Sequence, residues 1–190
     1  TAGKENFGPW SEDAEVDIDT LKSVKSPKDV FFPQSENLYT CEREGRKLKV
    51  EPEALKEQRF TVFGMRACDV QGVKVLDQVF LADPVDSFYA ARREHGTMVA
   101  IACHEPEVSC FCKVFGIDCA EPAADVAAWF AGEELYWKAL TEKGQTLTEI
   151  LSGLLTDADT EDEKKLSEEQ TAIRAIVEKL PYSHLSLEGW

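Results

Sequence analysis

Four cysteines have the residue type and spacing of a ligand set. Cys68 lies in Gly64-Met65-Arg66-Ala67-Cys68-Asp69 and Cys103 in Ala102-Cys103-His104-Glu105-Pro106, while Cys110 and Cys112 flank one phenylalanine in Cys110-Phe111-Cys112. Thiolates are soft ligands that take zinc or iron–sulfur clusters. The run Cys-x6-Cys-x-Cys is tight enough for three ligands to one group, with Cys68 as the distant fourth. Four thiolates suit a [4Fe–4S] cluster or a tetrahedral zinc. Spacing alone does not choose between them, because it is neither the bacterial ferredoxin run nor a zinc-ribbon pair of C-x2-C motifs. Unligated thiols packed as small hydrophobes are the third reading.

The elements around these cysteines give the grouping a physical logic. The apolar runs 59–65 and 97–102 read as buried strands. Between them, apolar positions 73, 76, 79 and 80 make one helical face, and residues 86–96 read as a helix ended by glycine. Strand, helix and strand in this order predict a parallel pair. Ligand sites in open α/β sheets form beyond the carboxyl ends of parallel strands, and Cys68 and Cys103 both fall just past such an end.

Elsewhere, residues 1–15 read as a loose lead-in, and Ser26-Pro27-Lys28-Asp29 as a helix-start or turn signal before Phe31-Phe32. Alternating segments on either side of Arg43-Glu44-Gly45-Arg46 predict a β-hairpin on a solvent-exposed edge, with Cys41 inside it. Residues 125–140 read as strand, turn, strand. Amphipathic helices are expected at 145–155 and 163–180, separated by a charged break and closed by Pro181. The fold class is therefore α/β (or α+β): a mixed sheet with a parallel βαβ core, a hairpin and flanking helices. The expected organisation is a lead-in at 1–15, a cysteine-rich core domain at 16–156 and a C-terminal helical segment at 157–190.

The stretch from Ser26 to Glu142 resembles the N-terminal part of the beta subunit of cytoplasmic sulfhydrogenases (hydrogenase/sulfur reductase), together with the related 4Fe-4S electron-transfer component of anaerobic sulfite reductase. The matching pieces are Ser26-Pro27-Lys28 with Phe31-Phe32-Pro33-Gln34, then Phe63 to Asp69, Leu76-Asp77 with Phe80, Tyr89 with Arg92-Arg93, and Cys103 with Pro106 and Cys110-Phe111-Cys112. The resemblance implies a [4Fe–4S] cluster on Cys68, Cys103, Cys110 and Cys112. It also implies an electron-transfer subunit relaying electrons between a flavin or ferredoxin partner and a hydrogenase or a sulfite or sulfur reductase. Such proteins usually add a C-terminal ferredoxin domain. This chain ends at Trp190 without its C-x2-C-x2-C-x3-C-P run, has Ala67 where the family often has proline, and carries an extra thiol at Cys119. Cys41 and Cys119 are not expected among the ligands.

Composition bounds the alternatives. The chain has 190 residues, with 36 Asp plus Glu against 21 Lys plus Arg, for a formal charge of -15. Such a surface repels nucleic acid and suits either general solubility or docking on a basic partner. No run approaches the ~20 apolar residues that span a bilayer, so membrane insertion is not expected. The polar, acidic start lacks a signal-peptide pattern, and Thr1 is not an initiator, so a processed or incomplete cytoplasmic chain is expected. Six cysteines are too sparse for a secreted disulfide scaffold.

The other reactive residues have ordinary readings. Arg66 and Asp69 offset cluster charge or form a loop ion pair. His104 is a metal or sulfur partner or a loop residue. Arg92 and Arg93 dock an acidic partner or form a solvated helix end that complements the helix dipole, and Trp129, Tyr136 and Trp137 fill the core or an inter-subunit surface. No dinucleotide-binding glycine pattern and no Ser-His-Asp set is present. Independent catalysis is therefore not expected, and an apolar partner surface near Trp190 or the last helix is. The competing reading is a structural zinc-binding or metal-free assembly domain. A thiol enzyme needs one reactive cysteine rather than four grouped ones.

Overall fold

A computed structural model describes residues 7–14, 16–18, 20, 23–132 and 134–188. Much of the predicted lead-in, and Trp190, lie outside the described residues.

A four-stranded sheet in the order β3-β4-β5-β6 carries the cysteine region. Its strands are β3 (Phe60–Met65), β4 (Gly96–Ile101), β5 (Val126–Ala131) and β6 (Glu134–Ala139). The first three run parallel, and β6 pairs antiparallel with β5 to close one edge. The crossover from β3 to β4 uses two helices, α2 (Ala67–Phe80) and α3 (Ser87–His95). The predicted parallel βαβ core and mixed sheet are thus present, and the fold is α/β. The hairpin β1 (Tyr39–Glu44) and β2 (Lys47–Pro52) forms as expected, with Cys41 opposite Val50. It stands as its own two-stranded sheet rather than on an edge of the larger one, and both its faces are exposed.

Alternation along the parallel strands feeds two cores. On one face Val62, Met65, Met98 and Ala100 pack with Val70, Val73, Tyr89 and Phe31, the last from the short helix α1 (Lys28–Phe31). On the other, Ala127 and Trp129 pack with Cys103, Cys119 and Ile173. Ile173 belongs to α5 (Thr160–Glu178), which lies against β5. Among the described residues no helix is long and apolar enough to cross a membrane.

Two element boundaries and one side-chain environment differ from the sequence reading. The helix expected at 145–155 is α4 (Glu142–Ile150) followed by a 3-10 turn at Ser152–Leu154. It starts early because the Thr141 hydroxyl caps the Gly144 amide at 3.3 Å, and Gly153 does not sustain the α-helix. The charged break before α5 is instead its first turn. Asp159 accepts from the amides of Glu161 (2.7 Å) and Asp162 (3.0 Å), and Asp162 accepts from the Asp159 amide (3.0 Å). Arg92 and Arg93 are not a solvated helix end. Arg92 is buried, donates to the Phe31 carbonyl at 2.6 Å and pairs with Glu36, while Arg93 grips both oxygens of Asp77 at 2.7 and 2.9 Å.

Two glycines place backbone where a side chain would interfere. A Cβ on Gly144 would fall 2.1 Å from the Asp125 carbonyl oxygen, so α4 lies directly against the start of β5. Gly64 has φ +84°, and the register between β3 and β4 shifts across it. Such a bulge bends a strand and re-aims the residues after it, which here are Arg66, Ala67 and Cys68. We expect Gly64→Ala to destabilise the protein by about 1–2 kcal/mol, the cost of a left-handed conformation for a residue with a Cβ. Urea unfolding should register this as a lower midpoint with an unchanged slope.

Candidate functional site

Cys68 and Cys103 lie beyond the same edge of the sheet. Met65 at the end of β3 pairs with Ala100 near the end of β4, and each cysteine follows its strand end within three residues. Cys68 sits in the first turn of α2, which Asp69 closes by accepting from the Arg66 amide at 3.2 Å. Cys103 starts the connection from β4 to β5. That connection contains no α-helix, only a 3-10 turn at Cys112–Phe115.

Backbone and indole hydrogen bonds fold this long connection back over the strand ends. The Ala102 amide donates to Ala128 (2.9 Å), and the Cys103 amide to Cys119 (3.0 Å). The Cys110 amide closes a turn on Glu107 (2.8 Å), and Ile117 donates to Cys112 (3.0 Å). The buried Trp129 indole donates to the Ala120 carbonyl at 2.6 Å. From outside, α5 holds the loop through Arg174 to Asp118 (2.7 Å) and Glu121 (3.3 Å), and through Lys113 to Glu178.

The folded loop brings five thiols within electrostatic reach of one another. Cys103 feels Cys119, Cys68 and Cys110, and Cys112 feels Cys68, Cys119 and Cys103. Cys68 is exposed, Cys110 and Cys112 are half-buried, and Cys103 and Cys119 are buried. Cys41 stays apart in the hairpin, exposed. The family resemblance set Cys119 aside as an extra thiol, yet the fold packs it beside Cys103 and Cys112. The signal available for it was Gly116, a turn residue that returns the chain toward the strand ends. His104 is half-buried and has no thiol or carboxylate hydrogen bond among the described residues.

Their protonation is uneven. A hydrogen bond from the Cys112 thiol lowers Cys68 to about 7, against the opposing effects of burial and the Asp69 charge. The same bond, with burial, pushes Cys112 well above the ordinary thiol range. Burial pushes Cys103 up to about 12, with the Arg66 charge pulling the other way. Burial and then the Asp118 charge push Cys119 up to about 11. Burial thus disfavours isolated thiolates at Cys103 and Cys119.

Among the described residues no three His, Cys, Asp or Glu side chains are grouped as a single metal ion requires. With zinc–sulfur bonds near 2.3 Å, thiolates around one ion stand roughly 4 Å apart, so a lone zinc would need these thiols to draw together. A four-iron cluster spreads its thiolates more widely, to roughly 7 Å. Soft thiols gathered near the strand ends are donors of the kind that such a group takes.

Over 112 residues the chain is 30% identical to sulfhydrogenase 2 subunit beta of Pyrococcus furiosus, a match that takes in 59% of this chain and 32% of that protein. The chain thus spans about a third of the length of the curated relative it matches. No family model matches the chain, and no solved structure matches it.

The thiol gradient has a direct readout in the metal-free protein. Iodoacetamide attacks the thiolate, so labelling of Cys68 should rise through about pH 7, while Cys103 and Cys119 stay unlabelled at that pH. Replacing Cys112 with Ala should move the Cys68 profile upward. Peptide mass spectrometry across a pH series would report both, and labelling of Cys103 ahead of Cys68 would contradict the assigned environments.

Proposed function

We propose that this domain holds a [4Fe–4S] cluster on Cys68, Cys103, Cys110 and Cys112 and transfers electrons within a hydrogenase-type oxidoreductase. The observation that carries the reading is that Cys68 and Cys103 follow neighbouring strand ends and that the charges of Cys68, Cys103, Cys110 and Cys112 lie close enough to act on one another. The similarity to a sulfhydrogenase beta subunit supports it. The cluster would supply one-electron redox chemistry. The protein's own part is to hold the thiolates at fixed positions, limit water through the Trp129-pinned loop and leave one side open.

That open side is apolar. Val108, Phe111 and Phe115 are 71%, 54% and 57% exposed, on the same loop as Cys110 and Cys112. The rings of Phe111 and Phe115 lie 5.7 Å apart. Exposed apolar residues beside a redox site suit close approach of a partner's centre. Partner subunits carrying flavin, a hydrogenase or reductase centre, or ferredoxin-type clusters are the occupants this reading assigns. The chain turns over no substrate of its own. Six free thiols suit a reducing, cytoplasmic setting. Residues 16–156 would be the cluster-bearing core, with 157–190 leading toward a ferredoxin domain.

Anaerobic purification followed by iron and acid-labile sulfide analysis tests the cluster. About four of each per chain, with broad absorption and a brown colour, are expected. Ser at any of the four positions should remove most of the iron, whereas Cys41→Ser and Cys119→Ser should not. Stoichiometric zinc without sulfide would favour the structural-metal reading, and neither metal the assembly reading. For the docking face, Phe111→Ser with Phe115→Ser should weaken partner binding about tenfold or more, on the order of 1.4 kcal/mol, with the cluster spectrum unchanged.

A further inference from the structure

Arg66 is buried differently from the other arginines of the core. It is 5% exposed. Its guanidinium donates to three main-chain carbonyls: Ala102 at 3.4 Å, Ile18 at 3.2 Å and Thr20 at 3.1 Å. Carbonyls satisfy its hydrogen bonds without neutralising its charge. Arg92 and Arg93 each have a carboxylate, Glu36 and Asp77. Among the described residues no carboxylate lies within ion-pair distance of the Arg66 guanidinium. Asp69, the nearest acid in sequence, uses an oxygen on the Arg66 amide, and burial pushes its pKa up against the opposing pull of the Arg66 and Lys28 charges.

A buried charge without a counter-charge is costly, and such charges are normally paired. Asp69 feels the Arg66 charge from beyond ion-pair distance, and the other groups near this guanidinium that can become anionic are thiols. Its Ala102 partner is the residue before Cys103, Cys68 is two residues further along the chain, and the Arg66 charge acts on the Cys103 thiol. The bonds to Ile18 and Thr20 clamp the guanidinium from the far side, so it cannot turn out to solvent. A fixed cation facing a set of thiols is arranged for an anionic occupant of the crevice.

We infer that Arg66 is the counter-charge and positioning residue of the cysteine site, a clamped guanidinium that stabilises an anionic thiolate-bound cluster and favours its reduced state. This rests on the cluster reading above. On reduction one electron enters, no bond forms or breaks, and the group becomes one unit more negative. A nearby fixed cation stabilises that added charge and raises the reduction potential.

The test uses the full chain, purified anaerobically with its cluster. Dithionite supplies electrons in a potentiometric titration followed by electron paramagnetic resonance. Arg66→Gln keeps an N–H donor for the carbonyls but removes the charge, and Arg66→Lys keeps the charge. At the wild-type midpoint, the reduced-to-oxidised ratio of the Gln variant should fall tenfold or more, equivalent to 59 mV for a one-electron couple. The Lys variant should stay near wild type. A Gln variant with intact cluster and unmoved midpoint would overturn the inference, leaving Arg66 a purely structural clamp. Failure of both variants to fold would overturn it in the same way. Absence of iron and sulfide from the wild type would instead defeat the cluster reading itself.

Discussion

The hydrogen bond from the Trp129 indole to the Ala120 carbonyl holds the cysteine region in its shape. Parallel strands need a long connection, and most such connections are helical. Here the link from β4 to β5 is largely irregular, with only one short 3-10 turn. An irregular chain of this length keeps its form only if its polar groups find partners and its apolar ones find a core. Trp129 provides both at once. Its ring fills the space under the loop beside Cys103, Cys119 and Ile173, and its N–H binds a loop carbonyl. Truncating it would leave a cavity and an unpaired carbonyl just where the thiols are gathered.

Buried polar groups link the rest of the fold to that region. Asp125, nearly buried, accepts from the Met98 amide at 2.8 Å and from the Thr141 hydroxyl at 2.7 Å. It therefore ties the last residue of the cysteine loop to β4 and to the start of α4. On the opposite face, Asp77 receives Tyr89 at 2.6 Å as well as Arg93. These groups lower the Asp77 pKa against the opposing effect of burial, while burial and the hydrogen bond to Asp77 raise that of Tyr89. Both helices of the β3–β4 crossover are thus locked together, and the start of α2 holds Cys68. The arrangement is rigid at the strand ends and open at the loop tip.

The elements themselves were readable from local pattern. Short β-branched runs marked β3 and β4, the Gly-centred break marked the hairpin, and strand–helix–strand order predicted their parallel pairing. Errors fell where side chains act on the backbone over a few residues. Thr141 and Asp159 each moved a helix start by capping it, and a run of acidic residues read as a break because its capping geometry depends on conformation. Arg92 and Arg93 read as solvent-facing because their partners, Glu36 and Asp77, are distant in sequence.

By itself, the sequence determined the fold class, the strand-end positions of Cys68 and Cys103, and the kind of chemistry that clustered thiols can do. Those features depend on residue type and local periodicity. Only tertiary structure decided which thiols share a pocket. Cys119 enters it because the loop turns back and its carbonyl binds the Cys103 amide at 3.0 Å, while Cys41 remains on a separate hairpin. Tertiary structure also decided the state of each group. The Cys68–Cys112 hydrogen bond, the burial of Cys103 and the confinement of Arg66 between the strand end and residues 18–20 arise from contacts between segments far apart in the chain. Burial and charge proximity are properties of packed space, and a linear spacing carries neither.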